Sequence, residues 1–284
     1  MVRKEYFEQN KYDENYFKQM APGNYDYFYK SRGTELLACR LDDLCKVKIL
    51  PGMKALDIGC GRGELVMYLA NKGVYAVGLD YAYEAIRKAK ECLEFYNQDV
   101  KNRFMIVQAC AESMPFGTML FDRIMSWANV EHLYQWQWLE CLKQSYSILK
   151  EDGVIVIGTH PNEWLQKYAY MATRNIRQVL QRKKLKSVKE RQAEEYEAGH
   201  VNIKNPISLK KDLRSVGFYT NVYVVRRSNI TNLSIINRTI IFVLESVPFA
   251  KWIFRDNIIV VGAKNKNTLK EFVKMPGKGI IGCR

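Results

Sequence analysis

The sequence predicts an α/β fold in which apolar strands alternate with helices, and three observations support this prediction. A short apolar segment at Lys54–Ile58 runs into a glycine-rich turn, and a helical pattern follows at Glu64–Asn71. Further apolar segments at 74–79, 121–126 and 154–159 continue an alternation of strand and helix. At 284 residues, the chain is long enough for one large domain with insertions.

The N-terminal residues are interpreted as short helices folded over the main domain. Aromatic residues are dense in residues 1–30, whereas a disordered segment of this kind would be poor in them. A helix is predicted over 33–46, with leucines along one face. Two roles stay open for the aromatic rings: they cover a ligand, or they only complete the core.

The glycine-rich turn carries the clearest chemical signal. Gly59, Gly61 and Gly63 follow the strand that contains the acid Asp57. Glycine adopts positive φ angles and has no side chain, so a ligand can lie close to the backbone. The nicotinamide and flavin fingerprint G-x-G-x-x-G is excluded because Glu64 stands three positions after Gly61. A P-loop is excluded as well, since no G-K-[S/T] follows.

The remaining elements follow in the order that an alternating fold requires. The strand at 74–79 ends at Asp80, and a helix over 83–96 carries oppositely charged pairs four residues apart, which is typical of a solvent-facing surface. Beyond it, strands are predicted from 104 and from 121, helices over 138–149 and 208–216, a turn at 151–153, and strands at 154–159, 219–227 and Asn257–Ala263.

Four sequence blocks, in this order, resemble the class I S-adenosylmethionine (SAM)-dependent methyltransferases. Segment 55–65 is similar to the first motif of that family, segment 104–116 to a strand followed by D-A-x-x-L-P-F, and segment 121–133 to F-D-x-I-x-S-x-x-x-x-E-H-L. Segment 199–218 resembles a common family ending, H-V-N followed later by G-F. The resemblance implies a Rossmann-like sheet of seven strands with helices on both faces, its last strand antiparallel, and SAM as cofactor with S-adenosyl-L-homocysteine (SAH) as product.

The resemblance also implies which residues contact SAM. The first acid and the glycine turn would hold the methionine part, and Asp80 would accept both ribose hydroxyls. Cys110 stands where the family usually has an acid for the adenine amino group, and either Glu112 or the backbone near Ala111 would replace that contact. The implied SAM contacts are Asp57, Gly59, Cys60, Gly61, Gly63, Asp80, Tyr81, Ala111, Glu112, Ser126 and Trp127.

Methyl transfer from SAM is an in-line displacement, in which the protein mainly positions the acceptor and excludes water. An alcohol or phenol acceptor would also need a base for its proton. His132 is the first candidate for this base, because it follows the fourth strand; His160 is the second candidate and Glu131 the third. An amine delivered in its neutral form would need no protein base. No metal site is expected, since no cysteine or histidine cluster has ligand spacing.

Charge and cysteine content bound the partners and the compartment. The chain has 44 Lys and Arg residues against 30 Asp and Glu residues, a net charge of +14, which favours anionic partners. Nucleic acid is disfavoured, because the fourth block lacks the [D/N]-P-P-[F/Y] pattern of enzymes that methylate base amines. Seven cysteines without zinc spacing predict mostly buried, reduced thiols and a cytoplasmic protein, and no signal peptide is visible.

The chain is divided into an N-terminal helical lid (1–46), a SAM-binding domain (47–264) and a basic tail (265–284) that is expected to fray. The domain contains two insertions. The first, 161–200, is rich in basic residues and is either a surface for an anionic partner or a solvated basic helix. The second, 228–256, is rich in large apolar residues, and would roof the substrate pocket, form a dimer face, or lie peripherally in a membrane interface.

These observations predict a SAM-dependent methyltransferase that acts on a hydroxyl group of a small molecule, such as a sugar or a natural-product intermediate. The two insertions make an anionic or lipid-linked acceptor at a membrane surface part of this hypothesis. Three alternatives stay open: an RNA methyltransferase, an enzyme that methylates a small-molecule amine, and an inactive scaffold that keeps the SAM fold. The oligomeric state is not predicted.

Overall fold

One sheet of seven strands organises the part of the chain that the structure describes. In the computed structural model these are residues 12–19, 30–31, 34–182, 184–226, 246–247, 249–275 and 280–283. The strand order is β3-β2-β1-β4-β5-β7-β6, and neighbouring strands are parallel except that β7 is antiparallel to both β5 and β6. The strands are β1 (Lys54–Ile58), β2 (Tyr75–Asp80), β3 (Phe104–Gln108), β4 (Phe121–Trp127), β5 (Leu149–Thr159), β6 (Tyr219–Val225) and β7 (Asn257–Ala263).

The helices of the described residues flank this sheet or belong to the first insertion. In chain order they are α1 (Glu14–Gln19), α2 (Ala38–Val47), α3 (Glu64–Asn71), α4 (Tyr83–Leu93), α5 (Gln98–Lys101), α6 (Gln135–Ile148), α7 (Tyr170–Gln181), α8 (Val188–Glu197), α9 (Pro206–Ser215), α10 (Ala250–Phe254) and α11 (Lys266–Lys274). A 3-10 turn at Val130–His132 follows β4, and a π-helical turn at Leu165–Ala169 precedes α7.

Both faces of the sheet are buried, which confirms the predicted fold class with helices on either side. Side chains alternate between the faces of a strand, so neighbouring residues enter different cores. Ala55 and Met125 pack in one apolar cluster with residues of α3, whereas Leu56 and Ile124 pack in the other with Trp138 of α6. The apolar residues on both faces of β1 and β4 therefore reflect burial on two sides.

The strand order reverses next to β1, and this reversal positions the candidate site. From β1 the chain moves outward to β2 and β3, then returns to place β4 on the other side of β1. The carboxyl ends of β1, β2 and β4 consequently surround a crevice of the kind in which open α/β sheets bind ligands. The pairing register aligns Ile58 with Leu79 at this end.

Several elements differ in extent from the sequence prediction; for example, α4 ends at Leu93 rather than at 96, and α6 begins at Gln135 rather than at 138. Helix α2 begins at Ala38 rather than at the predicted residue 33, and residues 35–37 before it are not helical. The turn predicted at 151–153 lies within β5, whose pairing with β4 shifts register between Phe121 and Arg123. This irregularity accommodates the extra residues of β5 without ending the strand.

The prediction that the tail frays is corrected by the structure, in which Lys266–Lys274 form helix α11 and pack against the domain. Leu269 and Phe272 of α11 are buried, and the Nζ atom of Lys48 donates a hydrogen bond to the carbonyl of Met275 at 2.8 Å. The amphipathic spacing of α11, with a lysine-rich outer face, made the segment resemble a solvated tail.

The predicted reduced state of the cysteines is wrong for one pair. Cys45 of α2 and Cys283 form a disulfide, with their Cα atoms 4.8 Å apart. The backbone amide of Ile281 donates to the carbonyl of Ile49 at 3.0 Å, which brings the C-terminal segment beside α2. The two residues are 238 positions apart in sequence, so no local pattern pointed to this pairing. Cys92 and Cys141 are free and buried.

The first insertion forms two helices behind the end of β5. The π-helical turn at Leu165–Ala169 leads into α7, and α8 follows it. The second insertion spans 228–256, and most of it lies outside the described residues. The structure describes residues 246–247 and 249–256 of this insertion. Within the described residues, no helix combines the length and the apolar character that a membrane span requires.

Gly158 of β5 is a position where a methyl group has no room. A Cβ atom built there would lie 2.0 Å from Cε3 of the buried Trp127 ring on β4. We expect Gly158→Ala to lower the free energy of unfolding by about 1–3 kcal/mol, the usual cost of overpacking a core. Urea unfolding measures this as a lower midpoint with an unchanged slope.

Gly117→Ala is the matched control for this substitution. No atom lies within 4 Å of a Cβ built at Gly117, so its effect is expected to stay below about 1 kcal/mol in either direction. Equal unfolding midpoints for the two variants would show that Trp127 does not pack against Gly158 in solution.

Candidate functional site

The turn after β1 has the backbone conformation that its glycines permit. Gly59, Gly61 and Gly63 have φ angles of 73°, 53° and 72°, a region that other residues rarely adopt. At Gly59 a side chain is also excluded by space, because a Cβ atom would lie 2.7 Å from Cγ of Asn129. The amide of Gly59 donates to the carbonyl of Leu79 at 2.8 Å, which ties the turn to the end of β2.

Asp80, the last residue of β2, holds two loops together. Its Oδ2 atom accepts a hydrogen bond from the amide of Gly61 at 2.8 Å, and Oδ1 accepts one from the amide of Ala82 at 2.9 Å. Burial raises the pKa of this carboxyl, and the backbone hydrogen bonds oppose that shift. The carboxylate is therefore fixed in orientation before any ligand arrives.

A cavity of about 330 Å³ opens at the carboxyl ends of the strands, beside Asp80. Its wall combines the glycine turn, the end of β2, the segment after β3, the loop after β4, and residues of α1. Seven of the site residues predicted from the sequence line it: Gly59, Gly61, Asp80, Tyr81, Ala111, Glu112 and His132. The other lining residues are Tyr12, Tyr16, Phe17, Leu79, Ala109, Cys110, Ala128, Asn129, Leu133 and Gln137.

The remaining predicted site residues lie behind this wall rather than in it; they are Asp57, Cys60, Gly63, Ser126, Trp127, Glu131 and His160. Ser126 is fully buried, and its Oγ atom donates to the carbonyl of Ile58 at 2.9 Å and accepts from Nδ2 of Asn129 at 3.2 Å. Asn129, which is hydrogen bonded to Ser126, lines the cavity in place of Ser126.

Asp57 and Cys60 support the turn from within the core. Burial raises the pKa of Asp57 to about 7, with the positive charge of Arg40 opposing this shift and the charge of Asp80 adding to it. The Sγ atom of Cys60 occupies the space beside Gly78, where a Cβ atom would approach it to 2.7 Å. Neither residue is among those that line the cavity.

The N-terminal segment contributes an aromatic wall; the sequence left open whether its rings cover a ligand or complete the core. Tyr12, Tyr16 and Phe17 line the cavity, and the rings of Tyr12 and Tyr81 meet edge to face with centroids 5.4 Å apart. Arg62 anchors this segment, because its Nη1 atom donates to the carbonyl of Phe17 at 2.5 Å. The aromatic density of residues 1–30 was the available signal, although it did not identify which rings reach the cavity.

Helix α6 shapes the end of the cavity near Glu112. The Oε1 atom of Glu112 accepts a hydrogen bond from Nε2 of Gln137 at 3.0 Å. Gln144 lies about two turns further along α6. Its Oε1 atom accepts a hydrogen bond from the amide of Met114 at 2.6 Å and holds the same segment. Cys110, which is exposed, lies on the wall beside this polar pair. Gln137 carried no motif signal, since it comes from a different element.

His132 presents a neutral imidazole at the cavity. Its Nδ1 atom lies 3.2 Å from the carbonyl oxygen of Gly199, which can only accept a hydrogen bond, so Nδ1 carries the proton. The other nitrogen, Nε2, is then an acceptor. Burial lowers the pKa of His132 to about 4, and the charges of His200 and His160 add to this effect. The ring is consequently neutral at physiological pH.

Glu131 and His160 form a second layer next to this ring. Glu131 is fully buried; its Oε2 atom accepts from Oγ1 of Thr159 at 2.8 Å, and its Oε1 atom lies 4.0 Å from Nε2 of His160. Burial raises the pKa of Glu131, while the nearby His160 opposes the shift. The side chain of His160 is 44% exposed. Neither residue lines the cavity, and among the described residues no cluster of three or more His, Cys, Asp or Glu side chains could hold a metal ion.

Comparison with known proteins identifies the domain that carries this site. Residues 55–153 match the family model described as a methyltransferase domain. Over 119 residues the chain is 31% identical to an uncharacterized methyltransferase of Synechocystis sp., covering 41% of this chain and 52% of that protein. Over 85 residues it is 34% identical to a ubiquinone biosynthesis O-methyltransferase of Paracidovorax citrulli, covering 30% and 34% of the two chains.

The fold extends this likeness beyond the matched segment. A SAM-dependent methyltransferase from Archaeoglobus fulgidus, known from its crystal structure, superposes with a TM-score of 0.51 at 20% sequence identity, covering 80% of this chain and 92% of that one. This chain spans about half the length of the Synechocystis relative.

Proposed function

We propose, starting from the class I SAM-dependent methyltransferase domain that this chain carries at residues 55–153, that the protein transfers the methyl group of SAM to a hydroxyl group of a small molecule. The observation that carries this proposal is the neutral imidazole of His132 on the wall of the same cavity that Asp80 and the glycine turn line. A base at this position is what an oxygen acceptor requires and an amine acceptor does not.

The residues of the cavity fit SAM. Asp80 has a fixed carboxylate that suits two adjacent ribose hydroxyls, and the positive-φ glycines let the methionine part lie against the backbone. Glu112 and Gln137 offer polar atoms for the adenine amino group, in place of the acid that Cys110 replaces. SAM supplies an electrophilic methyl group on a sulfonium, and the protein supplies the orientation.

His132 would take the proton of the acceptor hydroxyl at Nε2 as the oxygen attacks. The hydrogen bond from Nδ1–H to the Gly199 carbonyl fixes the tautomer and the orientation of the ring. Because burial lowers the pKa of His132, this base is better matched to a more acidic hydroxyl than to a less acidic one. This favours a phenol or a similarly acidic hydroxyl over an aliphatic sugar hydroxyl as the acceptor.

The N-terminal segment would act as a lid in this reaction. Its rings at Tyr12, Tyr16 and Phe17 line the cavity, and exclusion of water protects the sulfonium and the acceptor. A salt bridge of 3.7 Å between Lys88 and Glu14 joins this segment to α4. Of the lid proposed for 1–46, the structure describes residues 12–19, 30–31 and 34–46.

A hydrophobic acceptor is the further part of the proposal, and exposed apolar residues of the two insertions support it. Met171 and Val179 of α7 are 60% and 77% exposed, and Phe249 beside α10 is 83% exposed. Apolar exposure of this kind, in a chain with a net charge of +14, suits a lipid-linked acceptor reached by a cytoplasmic protein at an anionic membrane surface.

Calorimetric titration of the protein with SAM and with SAH tests the cofactor assignment. We expect one site with a micromolar dissociation constant for both ligands, and no measurable binding of NAD, for which the glycine spacing is wrong. SAH release in the presence of phenols, aliphatic alcohols and amines then tests the acceptor class, with phenols expected to react fastest. Absence of SAM and SAH binding would contradict the proposed function.

A further inference from the structure

The turn between α8 and α9 reaches back from the first insertion to the candidate base. Its Gly199 carbonyl accepts the Nδ1–H of His132, and the amide of Asn202 donates to the carbonyl of Glu131 at 3.0 Å. His200, between these two contacts, places its ring centroid 4.9 Å from that of His132. The insertion is therefore in direct contact with the loop after β4.

His200 is itself held by a chain of polar contacts within the insertion. Its Nδ1 atom is hydrogen bonded to Oε2 of Glu195, a residue of α8. The other oxygen of Glu195 accepts from Nε2 of Gln166 at 2.6 Å, and Gln166 is a buried residue of the π-helical turn. Turns of this kind are frequent at functional sites, since they redirect one side chain within a helix.

We propose that Glu195 and His200 are positioning residues for His132, with Glu195 keeping His200 as a fixed cation beside the ring that accepts the proton. The proposal rests on the proposed function for the role of His132 as a base. The electrostatic coupling itself does not depend on that role, because it follows from the distances between these three side chains.

A cation beside His132 would keep its ring neutral and would favour the build-up of negative charge on an acceptor oxygen. Other side chains also face the pair formed by His132 and His200. Tyr12 meets His132 edge to face at 6.2 Å, and His160 meets His200 at 6.4 Å. Burial alone would lower the pKa of His200, but the hydrogen bond to Glu195 and the charge of Glu131 raise it, and the net shift is upward. The positive charge of Arg191 helps to lower the pKa of Glu195. Glu195 is the acid hydrogen bonded to His200.

Histidine NMR titration tests this coupling directly, because the chain contains only three histidines. Each imidazole gives one signal, which is assigned from the single variants His132→Gln, His160→Gln and His200→Gln. In the unaltered protein, with SAH present or absent, we expect His132 to titrate at a lower pH than His200. In Glu195→Gln, the midpoint of His200 should fall by about one pH unit, because the carboxylate that stabilises its charged form is lost.

Two further variants make the result decisive. Glu194→Gln is the matched control, since Glu194 lies next to Glu195 on α8 and pairs instead with Lys186; all three midpoints should stay unchanged. His200→Gln removes the cation itself, so it should raise the His132 midpoint by about one pH unit, and it tests the coupling even if the Glu195 variant does not fold.

A residue that only supported the fold would leave the titration of His132 in place. An unchanged His132 midpoint in folded His200→Gln, or an unchanged His200 midpoint in folded Glu195→Gln, would therefore overturn the proposal. If SAH does not bind while the midpoints shift as expected, the proposed function fails and the coupling stands. If SAH binds and the midpoints do not shift, only the positioning role fails.

Discussion

Asp80→Ala is expected to weaken the binding of SAH by about 100-fold. The substitution removes a carboxylate that would accept two ribose hydroxyls, and hydrogen bonds to a charged group contribute about 1.5–3 kcal/mol each. It also releases the amides of Gly61 and Ala82, so the turn that would hold the methionine part loses its anchor. Calorimetric titration with SAH measures the dissociation constant.

The control for this variant is Asp99→Ala, which removes an exposed acid on the short helix α5 and should leave the affinity unchanged. Asp80→Asn should fall between the two, because an amide retains one acceptor oxygen for the backbone amides. A dissociation constant for Asp80→Ala within threefold of the unaltered protein would place the ribose elsewhere and would contradict the assignment of Asp80.

His132→Gln is expected to lower kcat by about 100- to 10,000-fold with a phenolic acceptor, the usual range for loss of a general base. The affinity for SAH should change less than threefold, because the contacts assigned to the cofactor lie on other residues. The rate of SAH release under saturating SAM and acceptor gives kcat, and calorimetry gives the affinity.

His160→Gln is the matched comparison. His160 is near Glu131 but is not on the cavity wall, so the same substitution there should lower kcat less than tenfold. A larger loss at His160 than at His132 would move the role of base to His160. Equal and small losses at both positions would favour an acceptor that needs no base, such as a neutral amine.

The sequence predicted the parts of the site that depend on one local segment. The glycine turn is an example, since positive φ at Gly59, Gly61 and Gly63 is a requirement of that short loop alone. The seven-stranded sheet with its antiparallel β7 was implied by the resemblance to class I methyltransferases, and the fold confirms it. The side chains assigned to SAM and to catalysis stay predictions, and the structure adds where each of them lies.

Contacts between distant segments could not be read from any local pattern. Gln137 reaches Glu112 because α6 packs beside the segment after β3, and the rings of α1 reach the cavity through the anchor at Arg62. Ser126 and Trp127 follow the expected strand, yet the positive φ of 52° at Ala128 turns the chain so that Asn129 reaches the cavity instead. The pairing of Cys45 with Cys283 depends on the whole fold in the same way.

The cysteine on the cavity wall has a consequence for chemical biology. Among the free cysteines that the structure describes, Cys110 is exposed, whereas Cys60 is partly buried and Cys92 and Cys141 are buried. An adenosine analogue bearing a mild electrophile at its base would reach this sulfur and form a covalent adduct. Burial and the charge of Glu112 raise the pKa of the thiol, so alkylation would accelerate as the medium becomes more alkaline. Enzymes with an acid at this position have no such nucleophile, which would make the adduct selective for this chain.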